Sequence, residues 1–269
     1  MKTTRVLLLF SILFALHCDA QKWLWAKEGA NNLGTLCDPW AICTDTPGNV
    51  FIVGLDNGGV HFGSQFINTS GSPGGAFIVK YDSSGNVIWA KQGINAFTDY
   101  SWGNAVVADK SGCSYMFGTF ANNVSFSTFT LTSGNNGATT FLVKYGPGGN
   151  VIWAKQSQNG SFPDYSKACA AAIDQKDNIY VTGYFAGTTT FGAYTLQSNQ
   201  NSGGVFVVKY DSAGNVIWAR KGTQSVSNYT FYNGSGATAI ATDMNGNVYT
   251  TGPFVDSIYF APYNLGNGG

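Results

Sequence analysis

Short apolar runs separated by polar turns return along the chain at a nearly constant spacing. Three of these runs read Val-Ile-Trp-Ala-Lys or Val-Ile-Trp-Ala-Arg, at 87–91, 151–155 and 216–220, so successive copies start 64 and then 65 residues apart. A shorter copy, Trp25-Ala26-Lys27, lies ahead of them. Self-similarity at a fixed period of this length predicts a repeat architecture.

Two further markers keep the same register. Apolar runs that end in Lys-Tyr lie at 77–81, 141–145 and 206–210. Every repeat also has an aspartate followed nine residues later by a glycine, at Asp45/Gly54, Asp109/Gly118, Asp174/Gly183 and Asp243/Gly252. Three markers in one register establish three complete repeats of about 64 residues and part of a fourth.

Each repeat predicts four strands, which in the first repeat are 41–44, 50–53, 77–81 and 87–91. The last three are almost continuously apolar, which indicates a sheet that is buried on both faces. The first strand has an alanine in register, at Ala41, Ala105, Ala170 and Ala239. Small side chains suit the innermost strand, where neighbouring sheets crowd together. The pattern therefore predicts an all-β protein, a β-propeller of four-stranded antiparallel blades.

The markers also predict the blade boundaries. We expect complete blades at about 41–91, 105–155 and 170–220, and a partial blade at 239–269. Residues 23–27 resemble a fourth strand without the three strands that should precede it, so they are expected to complete another blade as its outer strand. The chain is accordingly interpreted as a fragment of a larger propeller.

Two tight turns recur with the sequence Asp-x-x-Gly-Asn, at 45–49 and 82–86 in the first repeat. The aspartate can accept hydrogen bonds from turn amides, and the glycine can adopt positive φ, so each turn predicts a hairpin with a glycine bulge. This turn chemistry accounts for the repeated aspartates. No metal site and no cofactor are predicted.

The first twenty residues predict a signal peptide. Lys2 and Arg5 precede an apolar stretch at 6–16, and Cys18-Asp19-Ala20 follows as a cleavage pattern. The apolar stretch is too short for a membrane span, and a lipoprotein interpretation of Cys18 is the alternative. The mature chain, 21–269, is expected to be secreted, extracellular or attached to the cell surface. Its net charge of about −1 provides no basic surface for nucleic acid.

Four cysteines remain in the mature chain, at Cys37, Cys43, Cys113 and Cys169. An exported protein can oxidise its cysteines, but these four occupy non-equivalent positions in the repeats. A shared disulfide framework is therefore not expected, and the pairing stays open.

The strands Phe206-Val-Val-Lys-Tyr-Asp211, Gly214–Arg220 and Asn247–Gly252 carry a family resemblance. The chain resembles the SBBP-type β-propeller repeats of secreted bacterial proteins, which are common in Bacteroidota, over about residues 23–260. This resemblance implies an exported propeller.

In a four-stranded meander the longer connections share one face, and loops on a rigid scaffold commonly carry recognition. Aromatic rings beside carboxylates suit a glycan or a cell-surface protein, whereas the alternative role for the same rings is packing between sheets. The candidate ligand-binding residues are Trp40, Asp99, Tyr100, Trp102, Asp164, Tyr165, Tyr229 and Tyr232.

The leading functional hypothesis is a non-catalytic extracellular scaffold or binding module that recognises glycan or protein. The mature chain has one histidine, His61, and one glutamate, Glu28, so no repeated acid and base set predicts catalysis. Two alternatives stay open. One is a polysaccharide-active enzyme whose catalytic residues lie in missing blades, and the other is a structural spacer of a larger adhesin.

Overall fold

The computed structural model describes residues 24–31, 36–68, 74–96, 98–134, 137–200, 203–224, 236–254 and 257–266. The predicted signal peptide lies outside these ranges. Within them, all strand pairing is antiparallel and every regular element is a β-strand. These ranges contain no helix that is long and apolar enough to cross a membrane.

The strands are numbered in chain order and divide among four repeats. Repeat 1 has β1 (Ala30–Asn31), β2 (Leu36–Thr44), β3 (Val50–Asn57), β4 (Val60–Phe62), β5 (Gln65–Ile67), β6 (Gly75–Tyr81) and β7 (Val87–Gln92). Repeat 2 has β8 (Tyr100–Ala108), β9 (Ser114–Ala121), β10 (Asn123–Phe126), β11 (Phe129–Thr132), β12 (Thr139–Tyr145) and β13 (Val151–Gln156). Repeat 3 has β14 (Gln158–Asn159), β15 (Tyr165–Ile173), β16 (Ile179–Ala186), β17 (Thr188–Phe191), β18 (Tyr194–Gln197), β19 (Gly204–Tyr210) and β20 (Val216–Gln224). Repeat 4 has β21 (Ala239–Thr242), β22 (Val248–Thr251), β23 (Ser257–Phe260) and β24 (Tyr263–Gly266).

The first three repeats each form a four-stranded antiparallel sheet, in the orders β2-β3-β6-β7, β8-β9-β12-β13 and β15-β16-β19-β20. In repeat 4, β21 pairs with β22. The innermost strands of successive repeats lie beside one another, because β8 contacts both β2 and β15, and β15 contacts β21. The all-β class and the four antiparallel strands of each complete repeat are confirmed.

The apolar core lies between the sheets. Phe51 and Ile78 of repeat 1 pack in one buried cluster with Met116 and Phe141 of repeat 2. A second cluster joins repeats 2 and 3 in the same way. This explains why the strands of repeat 2 are apolar on both faces: its sheet is covered by a neighbouring sheet on either side.

Every repeat also contains a hairpin that was not predicted from the sequence. The connection from Gly54 to Phe77 contains the β4–β5 hairpin, and the other repeats have β10–β11, β17–β18 and β23–β24 there. These strands have only three or four residues, so their alternation is too short to stand out in the sequence.

The hairpins of repeats 2, 3 and 4 join consecutive repeats by backbone hydrogen bonds. In repeat 3, β17 pairs with β14, which follows the outermost strand β13 of repeat 2, and in repeat 4, β23 pairs with the outermost strand β20 of repeat 3. In repeat 1, β4 pairs with β1, which precedes β2. In repeat 2 the contact is a bridge between Ile94 and Ser125. The predicted long-loop face is therefore partly built from paired strands.

The innermost strands of the three complete repeats begin five residues earlier than predicted, at Leu36, Tyr100 and Tyr165. The prediction was wrong because the pairing register shifts partway along each strand, at Trp40, Asn104 and Cys169. A Cβ on the glycine of the third marker, as at Gly118, would overlap a backbone carbonyl oxygen of the shifted strand. The repeated glycine therefore permits this close approach.

Residues 24–29 form no strand within the described ranges, and the outer strand expected at 23–27 stays a prediction. A strand requires a hydrogen-bonded neighbour, and no described strand lies beside this segment. Its Trp25 ring instead stacks on Tyr81 with centroids 5.9 Å apart, and Trp25 Nε1 donates to the Ser83 carbonyl at 3.1 Å. The segment thus covers part of the open face of repeat 1.

Candidate interaction surface

Aromatic side chains of three repeats meet along the first half of the innermost strands. Trp40 on β2 packs edge-on against Trp102 on β8, with ring centroids 6.0 Å apart, and Tyr100 stacks on Trp102 at 4.8 Å. In repeat 3, Tyr165 packs edge-on against Tyr184 of β16 at 6.2 Å. The fold therefore brings together rings that lie far apart in the sequence.

Lys167 on β15 connects the two groups of rings. Its Nζ lies 5.5 Å from the centroid of the Trp102 ring and 5.9 Å from that of the Tyr184 ring, a cation–π arrangement. Burial lowers the pKa of Lys167, and the nearby Cys169 opposes this effect. We define the inner aromatic surface by these residues: Trp40, Tyr100, Trp102, Tyr165, Lys167 and Tyr184.

The inner aromatic surface keeps part of its area open to solvent. The Trp40 side chain is 44% exposed, and the other members are half-buried. Four of the predicted ligand-binding residues are members, at Trp40, Tyr100, Trp102 and Tyr165. Tyr229 and Tyr232 lie outside the described residues.

Two members, Lys167 and Tyr184, were not predicted from the sequence. They are cross-strand partners on β15 and β16. Lys167 takes the register position that Trp102 has in repeat 2 and Asp38 has in repeat 1, in each case one residue before the partner of the third-marker glycine. Because the residue types at this position differ, comparison of the repeats does not reveal Lys167 as a candidate. Its constant register to the third-marker glycine is the signal that could have identified it.

The predicted carboxylates Asp99 and Asp164 do not belong to this surface. They are 3% and 5% exposed. Asp99 accepts hydrogen bonds from Asn122 Nδ2 at 3.0 Å and the Asn123 amide at 3.2 Å, and Asp164 accepts one from the Thr188 amide at 2.9 Å. These hydrogen bonds hold the first residues of the hairpins in place, so both carboxylates have a structural role.

The aspartates of the first turn have local partners, as expected from turn chemistry. Asp45 accepts a hydrogen bond from the Asn49 amide at 2.8 Å, and Lys80 Nζ lies 3.6 Å from Asp45 Oδ2 and 4.9 Å from the Phe51 ring centroid. The same ion pair recurs as Lys144–Asp109 and Lys209–Asp174. Across the described ranges, no group of three or more potential metal-ligating side chains is arranged to hold an ion.

The four described cysteines are free thiols. Burial, with a contribution from Asp45, raises the pKa of Cys43 to about 12, and burial is also the main cause that raises those of Cys37 and Cys169 to about 11. These three are therefore thiols at neutral pH, and the thiolate is the nucleophilic form. His61 lies on β4 against the Phe66 ring, with centroids 4.5 Å apart.

Repeated four-stranded antiparallel sheets with adjoining innermost strands fit a β-propeller-like repeat protein. A curated relative agrees with that class. An uncharacterised WD repeat-containing protein of Acanthamoeba polyphaga mimivirus is 28% identical, and the match covers 71% of this chain but 15% of the viral protein. The chain thus corresponds to a small part of that relative. No family model matches the chain, and the SBBP-type resemblance stays a prediction.

Proposed function

We propose that this chain is part of a non-catalytic β-propeller scaffold that binds a protein partner through the inner aromatic surface. The observation that carries the proposal is the continuous contact of five rings and one lysine across three repeats. Tryptophan and tyrosine are the residue types that dominate the binding energy of protein interfaces. The likeness to a WD repeat-containing protein supports the scaffold part of the proposal.

The chemistry of the surface favours a partner with apolar side chains beside a carboxylate. Docking would remove the exposed part of Trp40 from water, and apolar burial contributes about 25 cal/mol per Å². Lys167 is already partly desolvated, so a partner carboxylate would meet a cation that has little hydration left to lose. A charge in this setting contributes to specificity more than to affinity.

The closure of the propeller and an extracellular location belong to the same proposal. The adjoining innermost strands support closure around a central axis. The charged, apolar and small-residue pattern at 1–20 supports export. Under this proposal the scaffold meets its partner outside the cell or at its surface.

Site-specific photo-crosslinking tests the proposed function. A benzophenone amino acid replaces Trp40 in the full chain, and a matched probe replaces Ile88, which is 46% exposed on β7. We expect the Trp40 probe to capture a defined protein from extracts of the source organism, and excess wild-type chain to compete for it. The Trp102→Ala chain should compete at least about tenfold less well, which corresponds to about 1.4 kcal/mol. Equal capture by both probes, or equal competition by Trp102→Ala, would contradict the proposal.

A further inference from the structure

Neighbouring repeats enclose two grooves of nearly equal size near the outermost strands. The first groove, between repeats 1 and 2, has a volume of about 490 Å³, and the second groove, between repeats 2 and 3, about 520 Å³. Both volumes are typical of small-ligand sites. Equivalent positions line them, as the pairs Gln92/Gln156, Lys91/Lys155 and Asn150/Asn215 illustrate.

In the second groove, Gln156 and Asn215 are hydrogen-bonded within the protein, whereas the buried Thr140 Oγ1 has no partner among the described residues. Gln156 exchanges two hydrogen bonds with the Thr132 backbone, at 2.7 and 3.0 Å. Asn215 Nδ2 donates to Asp211 Oδ2 at 2.9 Å. The second groove therefore shows the hydrogen bonds that these two side-chain amides make within the repeat itself.

The first groove departs from this pattern at Asn150. Repeat 2 has Gly146 where the equivalent turn of repeat 3 has Asp211. The amide of Asn150 consequently lacks the carboxylate that holds Asn215 in place, and Asn150 lines the groove as an exposed residue. The glycine in this turn thus leaves the amide donor and acceptor of Asn150, a residue that lines the first groove, without the carboxylate partner.

Two further residues that line the first groove also differ in type from the equivalent residues of other repeats. Phe66, 50% exposed, takes the place that threonine has in the hairpins of repeats 2 and 3. Ser127 adopts φ 55° at a turn position where the hairpins of repeats 1 and 3 have glycine at φ 57°. A residue with a side chain is strained in this left-handed region, and such strain is concentrated at functional sites. The equivalent residues are Thr130, Thr195, Gly63 and Gly192.

Buried polar atoms provide an independent indication of a ligand. Tyr145 is 1% exposed and lines the first groove, and its Oη has no hydrogen-bond partner among the described residues. Gln92 donates from Nε2 to the Asn68 carbonyl at 2.7 Å. Its buried Oε1 has no hydrogen-bond partner among the described residues. Buried polar groups are unfavourable when unpaired, so a ligand hydroxyl would stabilise both.

We propose that the first groove binds a neutral sugar unit of a glycan. A sugar ring has an apolar face, which suits the exposed Phe66 ring, and hydroxyls that both donate and accept. Tyr145 Oη can do both, Gln92 Oε1 accepts, and the Asn150 amide offers one group of each kind. Among the described residues that line the groove, Lys91 is the only charged one, and none is a carboxylate.

This site is separate from the inner aromatic surface. The first groove is lined by β5, β7, the β10–β11 turn, the end of β12 and the turn into β13, whereas the inner aromatic surface lies on the innermost strands and β16. The two proposals therefore rest on different residues. Either one can fail without affecting the other.

The experiment reverts the first groove to the repeat pattern. The full chain is probed on an array of neutral and acidic oligosaccharides, and the tightest neutral glycan is titrated by calorimetry. Phe66→Thr and Gly146→Asp introduce residues that the other repeats already have at these positions, so both variants should fold. We expect each to weaken binding at least about tenfold, and Gln92→Ala to do the same.

The second groove supplies the control, because Gln156→Ala changes the equivalent glutamine there and should leave glycan binding within about twofold of the wild type. Thermal unfolding of each variant checks that it is folded. No binding of the wild type to any neutral glycan, binding to acidic glycans alone, or unchanged affinity in folded Phe66→Thr and Gly146→Asp would overturn the proposal.

Discussion

Trp89 of repeat 1 stacks on Tyr145 of repeat 2, with ring centroids 5.9 Å apart and an interplanar angle of 26°. Trp89 Nε1 donates to the Pro147 carbonyl at 2.9 Å. A Cβ on Gly149, which has φ 82°, would lie only 2.8 Å from the indole. Trp89 therefore connects the outermost strand of repeat 1 to the third-to-fourth turn of repeat 2.

Replacement of Trp89 by alanine should destabilise the protein strongly. The ring is 5% exposed, and its removal leaves a cavity between two sheets and an unpaired carbonyl. We expect a loss of about 3–5 kcal/mol in the free energy of unfolding, measured by urea titration. Ile88→Ala on the same strand removes an exposed side chain and should change stability by about 0.5 kcal/mol or less. Equal effects of the two substitutions would argue against a stabilising contact between Trp89 and repeat 2.

The ion pairs of the first turn should differ in strength with their burial. The side chains of Lys80 and Asp45 are 5% and 0% exposed, whereas those of Lys209 and Asp174 are 20% and 6% exposed. Lys80→Ala leaves a buried carboxylate without its cation and should cost about 3–5 kcal/mol. Lys209→Ala should cost distinctly less in the same unfolding experiment, and the reverse order would contradict this account.

The carboxyl group of Asp174 should make the folding stability depend on pH in the acidic range. Burial alone would raise the pKa of Asp174, but hydrogen bonds from Asn178, Lys176 and Tyr180 hold it below its ordinary value. A carboxyl with a depressed folded pKa stabilises the fold above its unfolded pKa of about 3.9, and this contribution is lost as the pH falls through the folded pKa. The stability difference between wild type and Asp174→Asn should therefore shrink from pH 6 to pH 3, as followed by thermal unfolding. A constant difference would show that the carboxyl contributes no such linkage.

Gly118 should not tolerate a side chain. Its Cβ would overlap the Trp102 carbonyl oxygen and the Phe141 ring, so Gly118→Ala forces the innermost strand away and should cost about 1–3 kcal/mol or more. A Cβ on Gly148 would meet no atom within 4 Å, so Gly148→Ala is the matched control with little expected effect. Circular dichroism during heating compares the two, and a tolerated Gly118→Ala would mean that the close approach is not required.

The thiols should be unreactive while the protein is folded. With its pKa raised to about 12, Cys43 has roughly one thiolate in ten thousand molecules at pH 8. Iodoacetamide labelling followed by peptide mapping should modify Cys43 after Cys37 and Cys169, whose pKa values are about 11. In urea all three should react at similar rates, and fast labelling of Cys43 in the folded protein would be inconsistent with its burial.

The features predicted correctly from the sequence are those set within one repeat. The hydrogen bonds of the turn aspartates and the pairing of β6 with β7 depend on neighbours close in the chain. The hairpin β4–β5 was missed because its strands are short, and the start of β2 was misplaced because its register shifts at Trp40. Asp99 was predicted at a binding face from its type and position, but its burial depends on the hairpin that follows.

By itself the sequence determined the period of the repeat, its four antiparallel strands, its turns and the apolar character of both sheet faces, because hydrogen bonding and side-chain alternation act over a few residues. The tertiary structure alone decided which parts of different repeats meet. Trp40 and Trp102 are 62 positions apart, and Phe66 shares a groove with Tyr145 and Asn150 only because two sheets pack together. The inner aromatic surface and the first groove therefore arise from the packing of repeats against one another.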